Sequence, residues 1–185
     1  NHVPYAGHLR RRDAHDSRGD MSIASAGNVT PRRLDRNEAL TEHDTRLDLR
    51  LWHRLLSMNG YRRPVWGIAV DDTDNAEPLD RGWIMIKTAE VSADAFITAL
   101  KNGSFYATTG PVADFQVDGG VIKVQTTTPC RIDFLDARYQ VVASFSSGPA
   151  IYRPSGHEGF IRVEIRDAHA RVAWSQPFFL APVPS

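Results

Sequence analysis

Apolar positions from about residue 37 onward fall at helical spacing. Leu40, Leu47, Leu51, Leu55 and Met58 mark one face, and Leu49, Trp52 and Leu56 widen it. Asn59-Gly60 supplies a left-handed stop, so a helix is predicted to end there. The run Val65-Trp66-Gly67-Ile68-Ala69-Val70 has no polar alternation and predicts a strand buried on both faces. Residues 82–87 predict a second strand. Ser92 then reads as the cap of a short helix over 93–101, closed by Asn102-Gly103. Helix, strand, strand, helix is the rhythm of an α/β layer.

Beyond Phe105 the pattern changes to short alternating runs: 113–117, 121–126, 131–135, 140–145, 160–165 and 171–174. Turn residues separate them at Asp118-Gly119-Gly120, Ser147-Gly148-Pro149 and Pro154-Ser155-Gly156. This spacing predicts a small antiparallel β-sandwich. Residues 1–36 show neither helical nor strand periodicity and are expected to be an irregular arm. The expected organisation is therefore an arm over 1–36, an α/β unit over 37–110 and a β-sandwich over 111–185.

Composition narrows the classes of function. With 185 residues and 42% hydrophobic content, the chain can bury one good core or two small ones sharing an interface. Lys+Arg and Asp+Glu balance at 22 each, so no global field draws it to nucleic acid or to anionic lipid. The single cysteine, Cys130, excludes an internal disulfide framework and reads as a buried structural thiol. No stretch approaches the ~20 apolar residues of a membrane span, and no basic-then-apolar leader opens these residues, so a soluble protein is expected. The start at Asn1 points to a processed chain or a fragment.

Chemistry concentrates where the apolar strand runs into Asp71-Asp72-Thr73-Asp74-Asn75. Like charges this close repel unless a cation neutralises them or solvent screens them. Two readings stay open: a solvated Asp-rich turn, or a cation site at the carboxyl end of a strand. A calcium loop of the EF-hand type is excluded, because the required Gly and terminal Glu are missing. Ser175, His169 and Asp167 lie too close in sequence to converge as a serine triad. Arg18-Gly19-Asp20 is a tripeptide that arises by chance in Arg/Asp-rich segments.

The ordered motifs from Trp52 to Pro111 add a resemblance. A Trp with paired leucines on a helix, the strand Val65-Trp66-Gly67-Ile68-Ala69-Val70, the Asp71-Asp72 loop, Arg81-Gly82-Trp83 and Gly103-Ser104-Phe105-Tyr106-Ala107 occur in that order, followed by Gly110-Pro111. This order is similar to the C-terminal part of metallohydrolases of the polymerase-and-histidinol-phosphatase (PHP) type, and within them to the carbaryl-hydrolase group. The tail from Phe160 to Leu180 resembles that family's closing strands.

The resemblance implies part of a distorted β/α barrel followed by the sandwich, and metal-dependent hydrolysis of a phosphoester, carbamate or amide in a small-molecule substrate. Such chemistry uses a divalent ion (Mn, Zn or Mg) to lower the pKa of bound water. It implies Asp72 as a metal ligand, with Asp71 nearby and Asp74 where the family carries an imidazole. A carboxylate there favours a hard cation such as Mg or Mn. His8 is a further candidate ligand, and Trp83 and Tyr106 are candidates to line the substrate pocket. The family's early His-x-His motif does not occur in these 185 residues, so a fragment or a degenerate member is expected, its metal site retained or lost. The alternative is a non-catalytic binding or assembly module derived from that family.

Overall fold

The computed structural model describes residues 20–24, 38–59, 63–70 and 82–180; for 20–24 and 38–46 the description covers the backbone. Its elements in order are β1 (Asp20–Ala24), α1 (Glu38–Asn59), β2 (Trp66–Val70), β3 (Trp83–Ile86), α2 (Ala93–Asn102) and β4 (Phe105–Thr108). Then come β5 (Ala113–Asp118), β6 (Val121–Thr126), β7 (Arg131–Leu135), β8 (Val141–Phe145), β9 (Ala150–Tyr152), β10 (Phe160–Arg166), β11 (Val172–Ser175) and β12 (Phe178–Phe179). Every strand pairing among the described residues is antiparallel. The described residues are thus β-rich with two helices.

A large sheet runs β3-β4-β11-β10-β7-β8, with β12 also joined to β10, and a small sheet runs β5-β6-β9. Strand alternation gives the large sheet two apolar faces. Met85, Tyr106, Ile132, Phe134, Ile161, Val163, Ile165 and Ala173 share one core with Phe115, Ile122 and Val124 of the small sheet. Their neighbours Ala107, Phe160, Val172 and Trp174 point the other way, into a second core with Leu49, Trp52 and Leu56 of α1 and Val65 and Ala69 at β2. The large sheet is the middle layer, with the small sheet on one face and α1 and β2 on the other.

Helix α2 starts as its sequence requires, with Ser92 Oγ accepting from Ala95 N at 3.2 Å. It ends at Gly103, whose φ of 67° only glycine adopts without strain. A Cβ there would also lie 2.8 Å from the Trp66 ring, and Trp66 Nε1 donates to Lys101 O at 3.1 Å. The end of α2 is thereby fastened to the start of β2.

Three features differ from the sequence pattern. β3 and β4 join β11, so the large sheet crosses the expected division near residue 110. β1, inside the segment expected to be irregular, pairs with β2 through all five residues. The run 65–70 is not buried on both faces: Val65, Gly67 and Ala69 are buried, whereas Trp66, Ile68 and Val70 are half-buried. The reason is position, since β2 lies over one face of the large sheet instead of at the centre of a parallel one.

β11 and β12 form one line beside β10, broken at Gln176-Pro177. The pairing Glu164↔Trp174 slips by one residue to reach Ile161↔Phe178. Proline cannot donate to a ladder, and at this break the Ser175 hydroxyl accepts from Val163 N at 2.8 Å. Gln176, freed from the ladder, turns its carboxamide onto β2. Gly67 N donates to Gln176 Oε1 at 2.9 Å, and Gln176 Nε2 donates to Gly67 O at 2.7 Å. Substituting Gln176→Leu leaves two buried backbone groups of Gly67 without partners and is expected to cost roughly 2–4 kcal/mol. Urea unfolding monitored by circular dichroism measures this as a lowered midpoint at unchanged slope.

Candidate functional site

The candidate site is the carboxyl end of β2, where Val70 leads into the acidic loop. Three side-chain contacts fix the amino end of that strand. Trp52, fully buried on α1, donates Nε1 to Val65 O at 2.7 Å. Gln176 pairs with Gly67, and the Trp66 indole is tied to Lys101 at the end of α2. A helix, the broken strand line and the second helix therefore converge on a strand of five residues.

Of the candidate ligands, Asp71, Asp72, Asp74 and His8 lie outside the described residues. Among the described residues, no three His, Cys, Asp or Glu side chains come together as a metal site. Tyr106 is buried between the two sheets, where its hydroxyl accepts from Ala113 N at 3.1 Å and its ring meets Phe115 at 5.3 Å. Burial pushes its phenol up to about 12, so it stays protonated. It borders a crevice of about 320 Å³ whose walls include Trp66, Phe115 and Phe178, beside the amino end of β2. Trp83 pairs opposite Thr108 on the sheet edge and packs, half-buried, against the same core. The Ser175 hydroxyl is held inside the sheet by Val163, and Asp167 accepts from the backbone of His169 and from Arg171, so these groups assemble no nucleophile.

Sequence reasoning missed a polar cluster beneath α1. On β10, Phe160, Arg162 and Glu164 share the face toward the helix, and Arg162 is completely buried. Its guanidinium lies over the Trp52 ring at 4.6 Å, Nη2 donates to Glu164 at 3.1 Å, and Nε approaches His53 Nδ1 at 3.4 Å. His53, on α1, is 4% exposed. Tyr139 N donates to its Nε2 at 3.1 Å, and the Tyr139 and Phe160 rings stand 4.8 and 4.9 Å away. Burial first, and the Arg162 charge second, push the imidazole down to about 4. An alternation such as Phe160-Ile161-Arg162-Val163-Glu164-Ile165 ordinarily sends its charged face to solvent. Nothing in it signals that a helix covers that face.

Nearby, Asp136 is fully buried and ties the β7–β8 turn, accepting from Arg138 N at 2.9 Å and Gln140 N at 3.0 Å. Glu158 accepts from Ser155 N, Ser155 Oγ, Gly156 N and the Tyr152 hydroxyl at 2.8–2.9 Å. Burial acts to raise the Glu158 carboxyl, yet those donors hold it down at about 2. Both carboxylates serve turns.

No family model, no curated protein and no solved structure matches the chain.

The depressed Glu158 carboxyl has a direct consequence for acid stability. Its contribution is complete above the ordinary carboxylate value of 4.5 and is lost as pH falls through about 2. Glu158→Gln is therefore expected to unfold more easily at pH 7 and to lose part of the wild-type pH dependence between 4.5 and 2. Urea midpoints measured across that range test both effects.

Proposed function

We propose that the chain is part of a metal-dependent hydrolase of the PHP type, in which β2 presents Asp72 to a divalent cation. The observation that supports this reading is the fastening of β2 at its amino end, through Val65, Trp66 and Gly67, on the strand that runs on toward the carboxylates. Ligands must be held to within a fraction of an ångström, and a strand tied at Val65, Trp66 and Gly67 supports that need from its amino end. Asp72 is the ligand, with Asp71 or Asp74 sharing the cation and His8 as a nitrogen donor. Oxygen donors of this kind favour Mg or Mn over Zn. A bound cation would supply polarisation of the scissile group and a more acidic water.

The donor set in these residues is short, because Asp74 stands where the resemblance calls for an imidazole. That substitution favours a second reading, a binding or assembly module that keeps the scaffold and has lost turnover. Metal content after exhaustive dialysis, combined with phosphate-ester and carbamate assays at added Mn and Zn, separates the two. The expected result is weak Mn binding, reduced at least tenfold in Asp72→Asn, with little or no turnover. Equal Mn affinity in wild type and Asp72→Asn overturns the metal reading, and turnover abolished by Asp72→Asn establishes a working enzyme.

A further inference from the structure

The fold holds a buried imidazole face to face with a buried guanidinium at the contact between α1 and the large sheet. From this geometry we infer that His53 and Arg162 form an acid-sensitive latch, whose protonation releases α1 from the sheet and slackens β2. Nδ1 of His53 faces the Nε donor of Arg162 at 3.4 Å, and Nε2 faces the backbone donor of Tyr139 at 3.1 Å. A neutral imidazole accepts at one nitrogen, and an imidazolium at none. Whichever of these two contacts the neutral ring accepts is lost on protonation, and the imidazolium then lies beside the Arg162 cation in a dry interface.

The surroundings offset the added charge only in part: the backbone carbonyls of Asp136 and Ala137 favour the protonated ring, but less than burial and Arg162 oppose it. From β10 the facing groups are Arg162 and Glu164, and Glu164 is already engaged by Arg162 Nη2 at 3.1 Å. The β7–β8 turn brings Asp136, Arg138 and Tyr139. Asp136 is the one anion there, but its oxygens accept from Arg138 and Gln140, so its pull on His53 is weaker than burial and Arg162 together. On the helix itself, Arg50 and Arg54 are exposed cations. Arg162 has no route out, because it is fully buried and its Nη1 has no hydrogen-bond partner among the described residues.

The response is directional. His53 takes up its proton near 6.5 when exposed and near 4 when docked, so docking is intact above pH 6.5 and weakens as pH falls from 6.5 to 4. Below 4 the proton favours the released helix by roughly 300-fold relative to neutral pH. The neighbouring carboxylates act in a lower window: Glu158 is held at about 2, and Asp136 and Asp167 are both held below 3.8. The sheet-to-sheet core has no ionisable member besides Tyr106, Tyr152 and Cys130, so the sandwich persists while α1 leaves. Because Trp52 on α1 donates to Val65 O, release of the helix also frees the start of β2.

Amide hydrogen exchange of the full chain from pH 7.5 to 4, corrected for intrinsic rates, tests the latch. Amides of α1 are expected to lose protection, on the order of 10- to 100-fold, between pH 6.5 and 4, while β6, β7 and β10 keep theirs. In His53→Gln, whose carboxamide is neutral throughout, α1 protection should be flat over that range. Wild-type protection that stays constant to pH 4, or an identical decline in His53→Gln, overturns the proposal. Should His53→Gln fold poorly, proton NMR of the wild-type His53 ring decides: titration near 4 supports the latch, and titration near 6.5 overturns it.

Discussion

The two hydrogen bonds between the Gln176 carboxamide and the Gly67 backbone hold the molecule's layers in register. They exist because the β11–β12 line breaks at Pro177, which slips the pairing with β10 by one residue and takes Gln176 out of the ladder. A carboxamide carries a donor and an acceptor at the spacing of a peptide group, so it can pair with a strand as another strand would. Gly67 lets that approach occur without a side chain in the way. Buried amide pairs of this kind are costly to leave half made, so the contact specifies a single position for β2 over the sheet. Trp52 and Trp66 then act on a strand whose place is already set.

Much of this was legible in the sequence. The helical spacing from Leu40 to Met58 corresponds to α1, which ends at Asn59, but its buried face is Leu49, Trp52 and Leu56, whereas Leu47, Leu51 and Met58 of the marked face are exposed; Ser92 and Gly103 bound α2 through the capping groups expected of them. The six alternating runs after residue 110 are six antiparallel strands, with ends within about one residue of their turn signals. β9 and β12 are three and two residues long and carry too little pattern to register. β4 is buried at all four residues, and without alternation it looks like the loop that follows α2. The placement of β3 and β4 beside β11 is a long-range pairing, which local periodicity does not encode.

The polar layer beneath α1 escaped for a different reason. Sequence patterns treat charge as a marker of solvent, and Arg162 and Glu164 sit where a solvated face would be read. The structure instead covers Arg162 with Trp52 and pairs it with Glu164 and His53. A buried guanidinium is costly to desolvate, and apolar residues of similar volume often stabilise such sites more. What it adds here is direction: a helix on an apolar sheet face can slide, whereas one that must meet Arg162 through His53 and Tyr139 has one register. The candidate ligands present the opposite case, since Asp71, Asp72, Asp74 and His8 were named from the sequence and lie outside the described residues.

The two faces of the large sheet consequently differ in kind. The face toward β5, β6 and β9 is closed mainly by Ile, Val and Phe side chains, with Tyr106, Tyr152, Trp83 and Cys130 among them. Its stability changes little with pH across the neutral range, because nothing in it titrates there. The face toward α1 and β2 combines Leu49, Trp52, Leu56 and Trp174 with His53, Arg162 and Glu164. The side-chain fastenings of β2 named above lie on that second face or at its border: Trp52 above, Gln176 at the strand break, and Trp66 against Gly103. The strand that leads toward Asp71 and Asp72 is thus carried by the interface that holds the His53–Arg162 contact. An invariant sandwich and a titratable helix contact divide the chain into a rigid support and an adjustable one, and the loop after Val70 is attached to the adjustable part.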